Sequence, residues 1–173
     1  MLILLSKISN APIIDLENQK KVASLSDVVI DPNSGKILGL IVKVGQLLPK
    51  DQLVSTDDIV QMLPTSILIN DYDAITNISE VIRVQELYKK RFALIKKPVR
   101  TKGGQYIGRV NDLLFTDNTF SLAKIYVRHL LSDRIIPYSA IIKIEDKAII
   151  VKDDYEAVSA TEKSELPAQA ELA

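Results

Sequence analysis

The sequence predicts a mainly β protein in which one structural unit is written twice, with a helix between the copies. Three observations carry this reading. Val22–Val42, VASLSDVVIDPNSGKILGLIV, recurs without a gap at Ile107–Val127, IGRVNDLLFTDNTFSLAKIYV. Asp51–Asp71 recurs in the same way at Asp133–Asp153, so the likeness spans a whole unit rather than one hairpin. Apolar and polar residues alternate at period two along Val22–Asp31, whereas the stretch between the copies is spaced at helical period.

Taken in order, Leu2–Leu5 is an apolar run suited to an extra edge strand or to a frayed end packed on the first unit. Ile13-Ile14-Asp15-Leu16 follows Pro12 as a strand, and Glu17-Asn18-Gln19 supplies its turn. Along Val22–Asp31, Val22, Ser24, Ser26, Val28 and Ile30 point one way and Ala23, Leu25, Asp27 and Val29 the other. Asp31-Pro32-Asn33-Ser34-Gly35 is a tight turn: Pro32 pre-sets φ, Asn33 or Ser34 bonds locally, and Gly35 accepts the left-handed backbone. Ile37–Val44 returns as an almost continuous apolar run, the pattern of a strand covered on both faces, with Gly39 marking a bulge or a close approach. Leu53-Val54 is a short strand, Ser55 or Thr56 can cap a helical turn, and Ile67-Leu68-Ile69 closes the unit.

Between the copies, Ser79–Phe92 holds good helix formers and neither Gly nor Pro; Val81, Val84, Leu87 and Tyr88 share one face, and Ser79 can cap. The expected organisation is a first unit over 1–75, a connector helix within 76–95, a second unit over 96–158, and an Ala/Glu-rich disordered tail over 159–173.

Composition narrows the chemistry. Hydrophobic residues make up 47% and charged residues 25% of the chain, an ordinary globular balance. Lys+Arg and Asp+Glu are both 22, so no net field draws the chain to nucleic acid. The absence of cysteine excludes disulfides and thiolate chemistry, and a single histidine, His129, excludes a His-rich metal site. MLILLSKIS lacks the parts of a signal peptide, and no run approaches the length of a membrane span, so a cytoplasmic protein with no membrane span is expected.

Each copy resembles a PRC-barrel domain, the small β-barrel shared by the photosynthetic reaction-centre H subunit and the ribosome maturation factor RimM. The residues that carry the resemblance are clearest in the second copy: Lys97-Pro98-Val99, Gly103-Gly104, Ile107-Gly108-Arg109-Val110-Asn111-Asp112-Leu113, Arg134-Ile135-Ile136-Pro137 and Ala148-Ile149-Ile150-Val151. The first copy keeps Ser26–Asp31 and Gly35–Leu40 and departs at Ala23 and Ser55, where the pattern has glycine and proline. The resemblance implies two tandem PRC-type barrels. It also implies a non-catalytic protein-binding or adaptor role, linked by analogy to RNA processing or ribosome maturation. A self-assembling homo-oligomeric scaffold in cell-division or membrane-associated machinery is the alternative.

The candidate site residues are weighed against that background. Asp27 and Asp112, held in both copies, read as structural acceptors for backbone N–H or hydroxyl groups, and a cation site formed with Asp15 and Asp31 lacks the spacing of a calcium loop. Lys102-Gly103-Gly104-Gln105 does not feed a helix and is a hairpin turn, not a phosphate loop. Ser132 lies near His129 with nothing to orient it, so no triad forms and no enzyme or cofactor is expected. Candidate contacts for an anionic partner are Lys89, Lys90, Arg91 and Lys97 after the connector helix, and Arg128, His129 and Arg134 in the second unit. Tyr88 and Phe92 beside the first group have the spacing either to stack on bases or to pack on a barrel.

Overall fold

A computed structural model describes residues 1–155 and 158–159. The tail expected over 159–173 lies, apart from Ser159, outside the described residues. The strands of the first repeat are β2 (Pro12–Asp15), β3 (Lys20–Ile30), β4 (Ile37–Val44), β5 (Lys50–Ser55), β6 (Ile59–Met62), β7 (Ile67–Ile69) and β8 (Ile75–Thr76). Those of the second are β9 (Pro98–Thr101), β10 (Tyr106–Thr116), β11 (Ser121–His129), β12 (Ser132–Pro137), β13 (Ile141–Ile144), β14 (Ile149–Val151) and β15 (Val158–Ser159). The two sheets have the same order, β6-β7-β2-β3-β4-β5-β8 and β13-β14-β9-β10-β11-β12-β15. The duplication seen in the residues is therefore a duplication of topology. Closed barrels were expected. Among the described residues neither ladder returns on itself, and each sheet runs open from one end of its order to the other.

The strict alternation expected over Val22–Asp31 breaks at Asp27: Ser26 and Asp27 are both exposed, and Val28, Val29 and Ile30 are all buried. The central hairpins nevertheless form where the sequence predicts them. In the first, Gly35 N–H donates to the Asp31 carbonyl at 2.8 Å and Gly35 sits at φ 67°. The Asp31 carboxylate accepts from Ser34 Oγ at 2.8 Å and from Asn33 N–H at 3.3 Å. Both long strands shift register at the same place, between Leu25 and Asp27 and between Val110 and Asp112. The bulge bends the strand and frees one N–H, which the following aspartate takes up: Asp27 Oδ1 accepts from Val28 N–H and Asp112 Oδ1 from Leu113 N–H, each at 2.8 Å. This is the acceptor role expected of both carboxylates.

The repeats meet turn to turn. Ile37 N–H donates to the Phe120 carbonyl at 2.7 Å, and Leu122 N–H donates to the Gly35 carbonyl at 2.8 Å. Gly35 and Phe120 occupy the same position of the two copies, as do Ile37 and Leu122, and the antiparallel bridge between Lys36 and Ser121 lies between these bonds. Each bond is thus the image of the other under a pseudo-two-fold axis through the bridge. Gly35 is required here for a second reason: a Cβ would come within 2.5 Å of the Tyr138 ring of the other repeat.

The segment leading into each repeat packs on the other one. β1 (Leu2–Leu4) pairs with β10, Leu4 opposite Leu114, and the short helix α1 (Leu5–Ile8) continues along the same strand. The N-terminal run therefore belongs to the second repeat's sheet, not to the first unit. It finds an unpaired length of β10 beyond β9, whose own pairing ends at Arg109. Reciprocally, α2 (Ile82–Lys89) lays Val84 and Leu87 on Val29, Ile41 and Leu53 of the first repeat. The helix is shorter than the expected span. Its approach is set by Asn77, whose N–H donates to Glu80 Oε1 at 3.1 Å, in place of a cap at Ser79. Of the predicted face, Val84 and Leu87 are buried, while Val81 and Tyr88 remain partly exposed. One continuous apolar core runs through both repeats, from Ile3 and Ile13 to Phe115, Ile125 and Val151.

Candidate functional site

The bulge aspartates of β3 and β10, Asp27 and Asp112, differ in what reaches them. On the second repeat, the leader segment brings Ser6 to Asp112: Ser6 N–H donates to Oδ1 at 3.1 Å and Ser6 Oγ to Oδ2 at 2.5 Å. Nothing in the local sequence marks this pair, because 106 residues separate the two. On the first repeat no serine arrives. Asp27 faces a cavity of about 300 Å³ walled by Leu5, Val28, Ile30, Phe92, Leu94 and Leu113, which lies between the repeats. The Asp27 side chain stays exposed at the mouth of this cavity, and the protein around it desolvates the carboxylate only in part. That desolvation, with the nearby Asp51 charge, raises its pKa above the ordinary aspartate value in spite of the Val28 N–H bond. Asp51 itself accepts from the Tyr88 hydroxyl at 2.6 Å, and that bond raises the phenol pKa.

The other acids are engaged separately. Asp15 is buried and accepts from Asn18 Nδ2 at 2.9 Å and Asn18 N–H at 3.0 Å; the side-chain bond, then the backbone bond, lower its pKa. Asp31 serves its own turn and pairs with Arg83 at 3.3 Å. Asp15, Asp27 and Asp31 thus have separate partners, and no group of three or more possible metal-ligating His, Cys, Asp or Glu side chains occurs among the described residues.

The basic candidates fall into two groups. Lys89, Lys90 and Arg91 are exposed at the end of α2, with Arg91 at φ 51° turning the chain out of the helix. Lys90, Arg91 and Lys97 line a second, shallower cavity of about 460 Å³ with Phe92 and Asp146. Lys97 differs from its neighbours. It is only 8% exposed, its Nζ donates to the Asp146 carbonyl at 2.6 Å, and it lies 4.6 Å from the Phe92 ring centre. Burial lowers its pKa against the opposing pull of the Asp146 charge. The basic run hides this because a lysine stem and a surface lysine look alike in sequence. Phe92 is thereby committed to packing and the cation contact.

The second group sits on the β11–β12 hairpin. Arg128 makes a two-pronged bond to Asp133, Nε to Oδ1 at 2.7 Å and Nη2 to Oδ2 at 3.0 Å. His129 meets Tyr106 edge to face at 5.4 Å, and Ser132 Oγ donates to the His129 carbonyl, not to its ring. Arg134 Nη1 donates to the Tyr155 hydroxyl at 3.0 Å. The Lys102–Gln105 segment is a turn, closed by Thr101 N–H on the Gln105 carbonyl at 2.9 Å and by Gly103 N–H on Asp153 Oδ1 at 2.8 Å.

This duplicated strand order, with a bulge and its aspartate in each copy, agrees with a family match. The PRC-barrel domain model matches residues 1–81 and 90–158. The chain belongs to the PRC-barrel domain family. A comparison with curated proteins finds none that matches. PRC-barrel domains are generally associated with protein–protein interaction and are typically non-catalytic. No helix among the described residues of this tandem PRC-barrel protein is long and apolar enough to cross a membrane.

Proposed function

We propose that this tandem PRC-barrel protein is a non-catalytic adaptor that binds a protein partner along its open sheet edges. The observation that carries the reading is the pair of edge strands β6 and β13. They end their sheets at equivalent places, and each presents an exposed apolar residue, Val60 and Ile142. An unpaired edge offers a row of N–H and C=O groups to an incoming strand, and the apolar side chain beside it adds contact area. Capture from the native host with the full chain, compared with a Val60→Lys/Ile142→Lys variant, tests this. A partner retained by the parent and lost by the variant supports it; a partner held equally by both refutes edge binding.

The finer reading, a partner from RNA processing or ribosome maturation, rests on family analogy and on the exposed Lys89, Lys90 and Arg91. It requires salt-sensitive RNA retention that falls when these three are replaced by Gln. The same open edges also suit a second copy of the chain. A self-assembling scaffold would show a sedimentation coefficient that rises with concentration.

A further inference from the structure

The largest exposures of leucine in the described chain fall at two equivalent places. Leu47 and Leu48, at the turn between β4 and β5, are 95% and 85% exposed, and Leu130 and Leu131, between β11 and β12, are 84% and 104% exposed. Each is an adjacent leucine pair at the end of a hairpin, in the same loop of the two repeats. A solvated loop favours polar residues, and burying an exposed leucine is worth roughly tenfold in an equilibrium, so four leucines held out in two corresponding loops call for something that covers them.

The base of each tip says what covers it. Lys43 and Lys50 stand exposed at the ends of the strands that carry Leu47-Leu48. Below Leu130-Leu131, Arg128 is opposite Arg109 across the β10–β11 ladder, and Arg100 lies 5.6 Å from the Tyr106 ring that also receives His129. The acids at these bases leave each collar net positive. Asp51, which keeps its charge when it accepts from the Tyr88 hydroxyl, stands against Lys43 and Lys50. Asp133, paired with Arg128, leaves Arg100 and Arg109 uncompensated by it. Each tip is therefore apolar at its point and cationic beneath, with an aromatic–imidazole pair in the second. That gradient matches the depth profile of an anionic bilayer surface, where acyl chains take leucine and headgroups take Lys, Arg and Tyr. A second copy of the chain would set one basic collar against another.

We propose that the Leu47-Leu48 and Leu130-Leu131 hairpin tips are interfacial anchors that insert into membranes containing anionic lipid, with their basic collars on the headgroups. Each tip alone is a weak anchor; reversible peripheral binding is the expected strength.

Flotation of the full chain with phosphatidylcholine vesicles containing phosphatidylglycerol, against phosphatidylcholine alone, tests the proposal. The parent should float with the anionic vesicles. Leu47→Ser/Leu48→Ser/Leu130→Ser/Leu131→Ser should lower the vesicle partition coefficient by roughly tenfold or more, with the thermal midpoint checked to show that the fold is kept. The chain has no tryptophan, so Leu131→Trp and Leu48→Trp give a clean emission signal that should shift to the blue on vesicle addition. Absence of flotation at low salt, or flotation unchanged by the four serines, overturns the proposal. Oligomers of the parent that the serine variant converts to monomer without any vesicle signal overturn it too, and assign the tips to a second copy.

Discussion

Asp27 and Asp112 occupy the same position of the same bulge in the two repeats, and each caps the next N–H at 2.8 Å. They differ in the chain that passes over them. Asp112 receives Ser6 of the N-terminal leader, whereas Asp27 looks onto the connector at Phe92 to Ile95 across an open cavity. One carboxylate is satisfied by two further donors; the other, though exposed, receives none of them and is partly desolvated near a second acid. Equivalent strands thus do not make identical sites; the leader from elsewhere in the chain decides.

The sharpest way to break this comparison is at Ala23 and Gly108, which are equivalent. Gly108 has φ 152°, and a Cβ there would approach the Arg128 carbonyl oxygen to 2.5 Å. Gly108→Ala should cost about 3 kcal/mol in urea unfolding, as expected for a backbone clash in a strained conformation. Ala23→Gly should cost no more than about 1 kcal/mol, the flexibility penalty of glycine. Equal costs would show that the two strands run alike at this point.

A comparably large effect tests the exchanged leaders. Leu87→Ala on α2 and Ile3→Ala on β1 each remove a buried side chain from the opposite repeat, and each should destabilise by about 3 kcal/mol in the same assay. A cost for Leu87 with none for Ile3 would mean that only the connector is docked.

Smaller effects separate the aspartates themselves. Ser6→Ala removes the hydroxyl bond to Asp112 and should cost about 1 kcal/mol. Asp112→Asn should lower the thermal midpoint at neutral pH by weakening the acceptor of both Ser6 bonds.

Asp27→Asn should do the reverse. A carboxyl with a raised folded-state pKa binds its proton more tightly in the native state, so stability falls as pH climbs from the unfolded aspartate value through the folded one. The variant should therefore melt higher than the parent at neutral pH, and the gap should close as the pH is lowered towards about 4. Melting curves across that range decide it; a gap that widens on acidification would reverse the assignment.

Much of this architecture was written in short-range patterns. The Asp31–Gly35 turn, the alternating strands and the duplication all lie within stretches where neighbours in sequence are neighbours in space. Other features were not local. Leu2–Leu4 has the composition of any edge strand, and its destination depends on a free length of β10 more than a hundred residues away. The burial of Lys97 depends on Asp146, far along the chain, so it was hidden in a basic run. The Asn77–Glu80 capping pair has a recognisable spacing, but Ser79 stood closer to the apolar face and drew the helix start to itself. The leucine tips were masked by continuity: Leu47-Leu48 follows Val44 and Leu130-Leu131 follows Val127 almost without a break, and only the lack of any facing element turns them outward.

The Lys36–Ser121 bridge has one more consequence. Two separate PRC-barrel chains meeting through such a contact would come apart on dilution. Here the connector holds the partners at a high local concentration whatever the amount of protein. Because the two halves are encoded separately, a substitution on one side of the axis is not copied to the other. A symmetric pair of chains has to change both faces at once; this chain can keep Ser6 on Asp112 and leave Asp27 open.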